Sequence, residues 1–522
     1  MNTARFFSRT YLACAFVCAT AFADTEAPGK VTFSKDVAPI LFDNCVACHR
    51  PGEVAPMSLQ TFDEVRPWAK SIKEKVTTRA MPPWFADPAH GKFKNDARLS
   101  EGEIALLANW VDQGAPRGKA ADMPELPQFA PDWQLGAPDH IITLPEVQVP
   151  ADGPDYLPDL SVRIDIPEDR WVRAVEIRPG NRLVNHHVVL FLAGGGGGGM
   201  GGEFGILAVW AVGSPPTVFP EGMGRQLHAG EMIRTNMHYH PNGTATTDQS
   251  RVGLYYGEGE MSREVKSALN GPFSFEIPAN APNHELTSSW WVDQDVKITS
   301  FFPHMHLRGQ DMKFTAVYPD GHSDVLINVP KWDFNWQLFY YPDQFVELPK
   351  GTRVDVVAHY DNSANNPHNP DPSVDVGFGL QSTDEMMFGI FEYFTVDGAA
   401  AKPVSDDDRL SMITKDLPKG DTYKINLAFG RDSLPTALVL PREGDGSLHL
   451  ALHGQFMQLP VTDIIWDGDQ YTFKLNIKFG GASASFMANG TVGPDGAIKG
   501  DFGGAGGGMF QLAGFEGKRA AS

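Results

Sequence analysis

His304 and His306 are separated by one residue, Met305. On a β-strand, residues two apart point to the same face, so the two imidazoles stand side by side and Met305 turns away. Two neutral imidazoles at that spacing suit copper or zinc. A single His-x-His is more often a packed or surface pair than a ligand pair, but this chain repeats the theme. His186 and His187 are adjacent in Asn185-His186-His187, and His238 and His240 flank Tyr239. Neighbouring strand residues face opposite ways, so His186 and His187 can share a metal only if their strand twists or lies at an edge. His238 and His240 share a face, and either could be a ligand. Cys45-Val46-Ala47-Cys48-His49 is a C-x-x-C-H sequence, the covalent attachment signature of a c-type haem. In it the two cysteines form thioethers and His49 becomes the proximal iron ligand. Several metal-type motifs in one chain fit a single electron-transfer scheme.

The elements around the haem motif read as helices. Thr61-x-x-Glu64 and Ser100-x-x-Glu103 are potential capping boxes. After the second, Ile104, Leu107, Ala108 and Val111 form one apolar face, and Gly114 and Pro116 stop the helix. A thioredoxin-like reading of the cysteines needs a βαβ context, which is absent. A helical haem domain is expected over residues 30–118, and this segment resembles small class I cytochromes c along its whole length. Met81, on the proline-stiffened loop Arg79-Ala80-Met81-Pro82-Pro83-Trp84, is the expected sixth iron ligand; a thioether there raises the reduction potential. His90 competes with it, and Met57 lies too close to His49 in sequence.

With 522 residues the chain has room for several domains, and its formal charge of −21 argues against nucleic acid or anionic membranes as partners. Residues 1–23 read as a secretory signal. Arg5 and Arg9 precede the apolar run Tyr11 to Thr20, and Ala21-Phe22-Ala23 offers a cleavage site. The run is too short to span a membrane stably, and no other transmembrane candidate is visible. The expected location is periplasmic or secreted. Of the four cysteines, Cys14 and Cys18 would leave with the signal and Cys45 and Cys48 belong to the haem motif, so the mature protein is expected to be free of disulfides.

Residues 119–139 read as a linker. From residue 140 short alternating runs take over, so the chain is expected to be mainly β and multidomain. Gly194 to Gly199 reads as a flexible loop, Pro241-Asn242-Gly243 as a turn and Pro319-Asp320-Gly321 as a hairpin turn. Met386 alone would pass as core packing. Residues 398–420 read as a second linker. Residues 421–522 read as a small antiparallel β sheet or barrel, in which His449 and His453 are ordinary strand residues.

Residues 140–397 resemble the copper type II, ascorbate-dependent monooxygenases, which include the peptidylglycine α-hydroxylating and dopamine β-hydroxylating enzymes. The resemblance rests on Asn185-His186-His187, on Trp210 to Thr217 followed by His238-Tyr239, on His304-x-His306, and on Asp384-Glu385-Met386. It implies two jelly-roll-like β-sandwich domains, at 140–268 and 269–397, each holding one copper ion. His186, His187 and His238 would hold the first, and His304, His306 and Met386 the second. The resemblance leaves His228 and His240 as supporting or structural residues. The peptide-amidating members anchor a substrate carboxylate at three places that here hold Phe302, Phe388 and Ile390, so a more apolar pocket is expected.

Two functions fit the pattern. One is an exported monooxygenase that hydroxylates a C–H bond of a small apolar substrate with O2. It would use two copper ions and one covalent haem c, and draw electrons from a periplasmic small reductant or redox protein. The other is a non-catalytic electron carrier or copper store.

Overall fold

The computed structural model describes residues 30–192 (except 54 and 131), 205–396, 410–411, 414, 417–418, 421–429, 432–452, 455–479, 482–503 and 512–520. The expected signal at 1–23, the Gly194 to Gly199 run, His453 and most of the 398–420 connector lie outside the described residues. The fold is mainly β, with several sheets and a small helical part on the N-terminal side.

The helical part comprises α1 (Ala38–Asn44), α2 (Phe62–Val65), α3 (Ala69–Thr77) and α4 (Glu101–Asp112). Both capping boxes form, each hydroxyl accepting from the backbone N–H three residues on and each glutamate reaching back. Helix α4 buries Leu107 and also Trp110, whose indole N–H donates to the Pro116 carbonyl at 3.0 Å. Gly114 ends the helix at φ 85°, a conformation other residues adopt only with strain. Phe33, Val37, Leu41, Val46 and Val65 complete this core. Each fully buried side chain of this kind stabilises by about 1.5–3 kcal/mol.

The stretch after α3 leaves that core. Trp84 and Phe93 set their rings against Tyr340 at 4.9 and 5.7 Å, within the apolar core of the second β unit. Backbone bonds fasten the same stretch, from Asp87 N–H to the Asn328 carbonyl and from Lys94 N–H to that of Tyr341, each at 2.8 Å. The stretch 119–139 is also packed at intervals. Met123 and Phe129 lie on the helical core, with the Arg50 guanidinium 4.0 Å above the Phe129 ring. Trp133 is buried on the first β unit, and the buried Glu176 carboxylate accepts from the N–H groups of Gln134 and Leu135 at 2.9 and 3.2 Å. A strap that follows two surfaces in turn shows no single period in its sequence.

The first β unit packs two sheets around one core. One runs, in spatial order, His140–Thr143, Arg251–Tyr256, Arg170–Arg178, Met223–Leu227 and Arg263–Glu264, with Thr217–Val218 on its side. The other runs Asp159–Arg163, Met232–Tyr239, Asn185–Leu192 and Gly205–Ala211. Val172, Val175 and Leu254 from the first sheet meet Val188, Leu190 and Met237 from the second. The second unit repeats the plan. Lys266–Asn270, Met387–Thr395, Val296–Met305 and Val346–Leu348 form one sheet. Ser323–Val329, Gly309–Val317, Arg353–Tyr360 and His284–Trp291 form the layer against it.

The C-terminal strands form a closed barrel. Eight strands pair with their sequence neighbours, all antiparallel, and Thr422–Phe429 pairs with Leu512–Arg519 to close the ring. Closure leaves no edge strand unpaired. Tyr423, Leu438, Leu448, Phe473 and Phe515 belong to an apolar cluster that continues into Phe302, Phe388 and Ile390 of the second unit. No described helix is long and apolar enough to cross a membrane.

Candidate metal centres

His186, His187 and His238 meet at one place, where one ligand atom of each lies within 4.8 Å of the others. The adjacency problem is solved by a β-bulge. Asn185 pairs with Tyr239 and His187 pairs with His238, so His186 is an extra residue in its strand. A bulged residue escapes the alternation of faces, and both imidazoles reach the same side.

Each ring is held from behind. His187 Nε2 donates to Asn236 Oδ1 at 3.2 Å, and His238 Nε2 donates to the Asp155 carboxylate at 2.9 Å. This leaves Nδ1 of His187 and Nδ1 of His238 as acceptors, facing each other 3.3 Å apart. The buried Nδ1 of His186 has no hydrogen-bond partner. Lone pairs turned toward one another and an orphaned buried nitrogen are what a cation would satisfy. The rings of His186 and His187 are also neutral, as ligation requires. Burial lowers His186 to about 3 and places His187 well below its ordinary value.

Asp155 links this cluster to its surroundings. Its second oxygen accepts from His240 Nδ1 at 2.9 Å, and His240 itself is exposed. Burial alone would raise the Asp155 carboxyl, but hydrogen bonds from His238, Ser382 and His240 outweigh it and hold the group well below the carboxylate range. A carboxylate behind a ligating histidine fixes its tautomer and raises its basicity. Asp155→Asn is therefore expected to weaken metal binding at this cluster by about 10- to 100-fold, as read by competition with a chelator of known affinity. His228 lies elsewhere, paired with Asp169 at 3.0 Å.

The second cluster arises from strand register. Met305 pairs with Met387 in the antiparallel ladder, so Met386 comes beside His306 at the ladder's end. His304 Nε2 lies 3.4 Å from Met386 Sδ. His304 Nδ1 donates to Gln337 Oε1 at 2.7 Å, and His306 Nδ1 donates to the Asp384 carbonyl at 3.3 Å. Both rings thus keep Nε2 as the acceptor. Met305 is fully buried on the opposite face, as the alternation predicts. Phe302 and Phe388 lie nearly parallel to the His304 ring on its strand neighbours, at 6.4 and 6.2 Å. Burial lowers His304 to about 4, against a pull upward from Gln337.

These depressed values carry a sign. Between the unfolded value of 6.5 and the folded values of about 3 and 4, the unfolded chain binds protons that the folded His186 and His304 do not. Their contribution to stability is present above 6.5 and is lost as pH falls. The metal-free protein is expected to show a falling denaturation midpoint from about pH 7 to about pH 4.5, with a shallower fall in His304→Phe. An equal fall in both proteins would remove His304 from that account.

The first cluster faces a cleft of about 770 Å3, lined by His186, His238 and Asp155 from the first unit and by Trp332, Phe334 and Ser382 from the second, among others. Phe334 stacks on His186 at 4.8 Å and stands edge-on to His306 at 6.2 Å. Ser382 Oγ lies 3.4 Å from His238 Nε2, four residues before Met386. Asp155, Asn236, Gln337, Phe334 and Ser382 carried no signal in the sequence, because each is an ordinary polar or aromatic residue far along the chain from the ring it touches.

In the helical part, Cys45 caps α1, and His49 N–H bonds back to its carbonyl at 2.9 Å. Cys45 and Cys48 form no disulfide. Burial, with the neighbouring Cys48, pushes Cys45 up to about 12, the opposite of an activated redox thiol. His49 Nδ1 donates to the Met57 carbonyl at 3.3 Å, which leaves Nε2 for an axial bond. Two adjacent thiols and an oriented imidazole fit a covalent haem. Met81 lies just beyond α3, its N–H bonded to the Lys75 carbonyl at 3.2 Å. His90 belongs to the stretch fastened to the second β unit, with its N–H on the Asp87 carbonyl at 3.0 Å.

No protein-family model matches this chain, and no curated protein matches it.

Proposed function

We propose that this protein is a copper-dependent monooxygenase that hydroxylates a C–H bond of a small, apolar substrate, with a fused c-type haem as its electron source. The observation that carries the reading is the pair of unlike donor clusters, three imidazoles and two imidazoles with a thioether, on two β-sandwiches that face one cleft. Copper at these clusters would supply single-electron storage at the first and oxygen activation at the second, where a thioether favours the reduced ion.

The chain's own residues do the rest. Asn236 and Asp155 orient the first pair of rings, and Gln337 and the Asp384 carbonyl orient the second. The Tyr360 hydroxyl donates to the Met386 carbonyl at 2.8 Å and steadies the thioether. Phe302, Phe388 and Ile390, only 4–8% exposed, keep water from that side and offer no partner to a substrate carboxylate. Burying an unpaired carboxylate there would be costly. Under this reading the two sandwiches take the jelly-roll form of the copper monooxygenases, and Met81 completes the haem ligation with His49.

The test is substrate-dependent oxygen uptake by the copper-loaded, reduced protein, with the hydroxylated product identified by mass. Small neutral apolar or aromatic compounds should be turned over. Glycine-extended peptides should be poor substrates. Efficient hydroxylation of such peptides, with apolar compounds inert, would overturn the assigned pocket.

A further inference from the structure

The C-x-x-C-H motif is joined to the first histidine cluster by a short, specific contact. Glu53 forms an ion pair with Arg182, and the two side chains are only 13% and 18% exposed. Arg50 braces the same carboxylate at 2.9 Å. The charges of Glu53, Arg50 and Arg182 all act on the Cys48 thiol, so Arg182 stands close to the haem attachment point. Arg182 also lies four residues before His186.

The turn 181–184 that carries it is pinned. Asn181 N–H donates to the buried Asp248 carboxylate, and Asn181 Nδ2 donates to Thr246 at 2.9 Å. Leu183 N–H returns to the Asn181 side chain at 3.2 Å, and Asn185 N–H to the Asn181 carbonyl at 3.1 Å. Arg182 and Leu183 both line the cleft that contains His186. Leu183 is 83% exposed, the highest value among the large apolar side chains described. A lone exposed leucine is ordinary on a surface. This one adjoins Arg182 of the ion pair, on a backbone held by the Asn181 hydrogen bonds.

We propose that the turn 181–184 is where electrons cross from the haem to the first metal cluster, with the Glu53–Arg182 pair holding the two segments together and Leu183 packing against the haem edge. The inference rests on the function proposed above. One electron moves per passage. The haem iron goes from ferrous to ferric, and one copper(II) ion at the three-histidine cluster becomes copper(I). An external one-electron donor, a periplasmic small reductant or redox protein, returns the iron to ferrous. No bond or proton is exchanged. Glu53, Arg182 and Leu183 are positioning residues, since none ligates a metal.

The experiment uses the full-length, haem- and copper-loaded protein without oxygen. The haem is reduced by a light flash, and its reoxidation is followed in the visible spectrum. Glu53→Gln, Arg182→Gln and Leu183→Asp should each slow reoxidation by about tenfold or more, the scale on which one desolvated charge pair shifts a docking equilibrium. The exchange variant R50Q/E53R/R182E, in which the Arg50 brace is neutralised so that it does not repel the new arginine, should recover most of the parent rate. Leu183→Asp should also lower the haem reduction potential, because a carboxylate beside the haem favours ferric iron. Its circular dichroism should match that of the parent, since the Asn181 bonds and not the Leu183 side chain hold the turn. A parent rate and potential in Leu183→Asp, or no recovery in the exchange variant, would overturn the proposal. Copper-independent reoxidation in the parent protein would instead overturn the proposed function on which it rests.

Discussion

Met386→Ala is expected to abolish substrate-dependent oxygen uptake while one copper ion per chain remains bound. The thioether lies 3.4 Å from His304 Nε2, and its backbone is tied by Tyr360 and by the Glu385 carboxylate, which accepts the Met386 N–H at 3.3 Å. Truncation at Cβ therefore removes the sulfur without freeing the strand. Losing several kcal/mol of metal contribution corresponds to about a hundredfold or more in rate. The three-histidine cluster shares no ligand with Met386, so its copper should stay, as counted by metal analysis and seen as a copper(II) resonance with nitrogen ligands. This outcome also separates an oxygenase from a carrier or store. A store needs affinity alone, and its behaviour would change only by one copper ion. Oxygen uptake at the parent rate in the variant would show that the thioether is not part of an oxygen-activating site.

The second large effect concerns the haem. Removing residues 30–118 would be a poor way to test it, because Trp84 and Phe93 belong to the core of the second sandwich. The better variant is Cys45→Ala with Cys48→Ala, which removes the thioether anchors and leaves the packing residues in place. Turnover driven by a redox-protein donor should fall to background. Turnover driven by a small reductant that reaches the cleft directly should keep its parent rate. Equal loss with both donors would mean that the helical segment serves the fold rather than electron supply.

Much of this architecture is legible in the sequence. The capping boxes at Thr61 and Ser100 and the change to alternating strands at residue 140 follow from local rules, and each formed as expected, whereas of the expected α4 face only Leu107 is buried and Trp110 joins it. The pairing of His304 with His306 needs only the period of a strand. The union of His186 with His187 was not legible, since a bulge depends on the partner strand, and nothing in Asn185-His186-His187 says that Tyr239 and His238 will pair around an extra residue. Asp155 was invisible for a related reason. Its role comes from a contact made 83 residues away in the chain, and its neighbours Gly153 and Pro154 look like any turn. The closing pair of the C-terminal barrel, first strand to last, is likewise a long-range fact that alternation within each strand leaves open.

The docking of the stretch around Trp84 and Phe93 has a mechanical consequence. The helical segment touches the first sandwich through Glu53 and Arg182 and the second through these two aromatic rings. It bridges the two sandwiches like a strut fixed at both ends. Widening the gap between the sandwiches must stretch this strut, break the ion pair, or pull a ring from its seat, and freeing one buried aromatic side chain costs about 1.5–3 kcal/mol. The element that delivers electrons would thus also set how far the jaws can part, and the separation across which charge must jump would be a fixed dimension of the chain rather than the average of a swinging pair of domains.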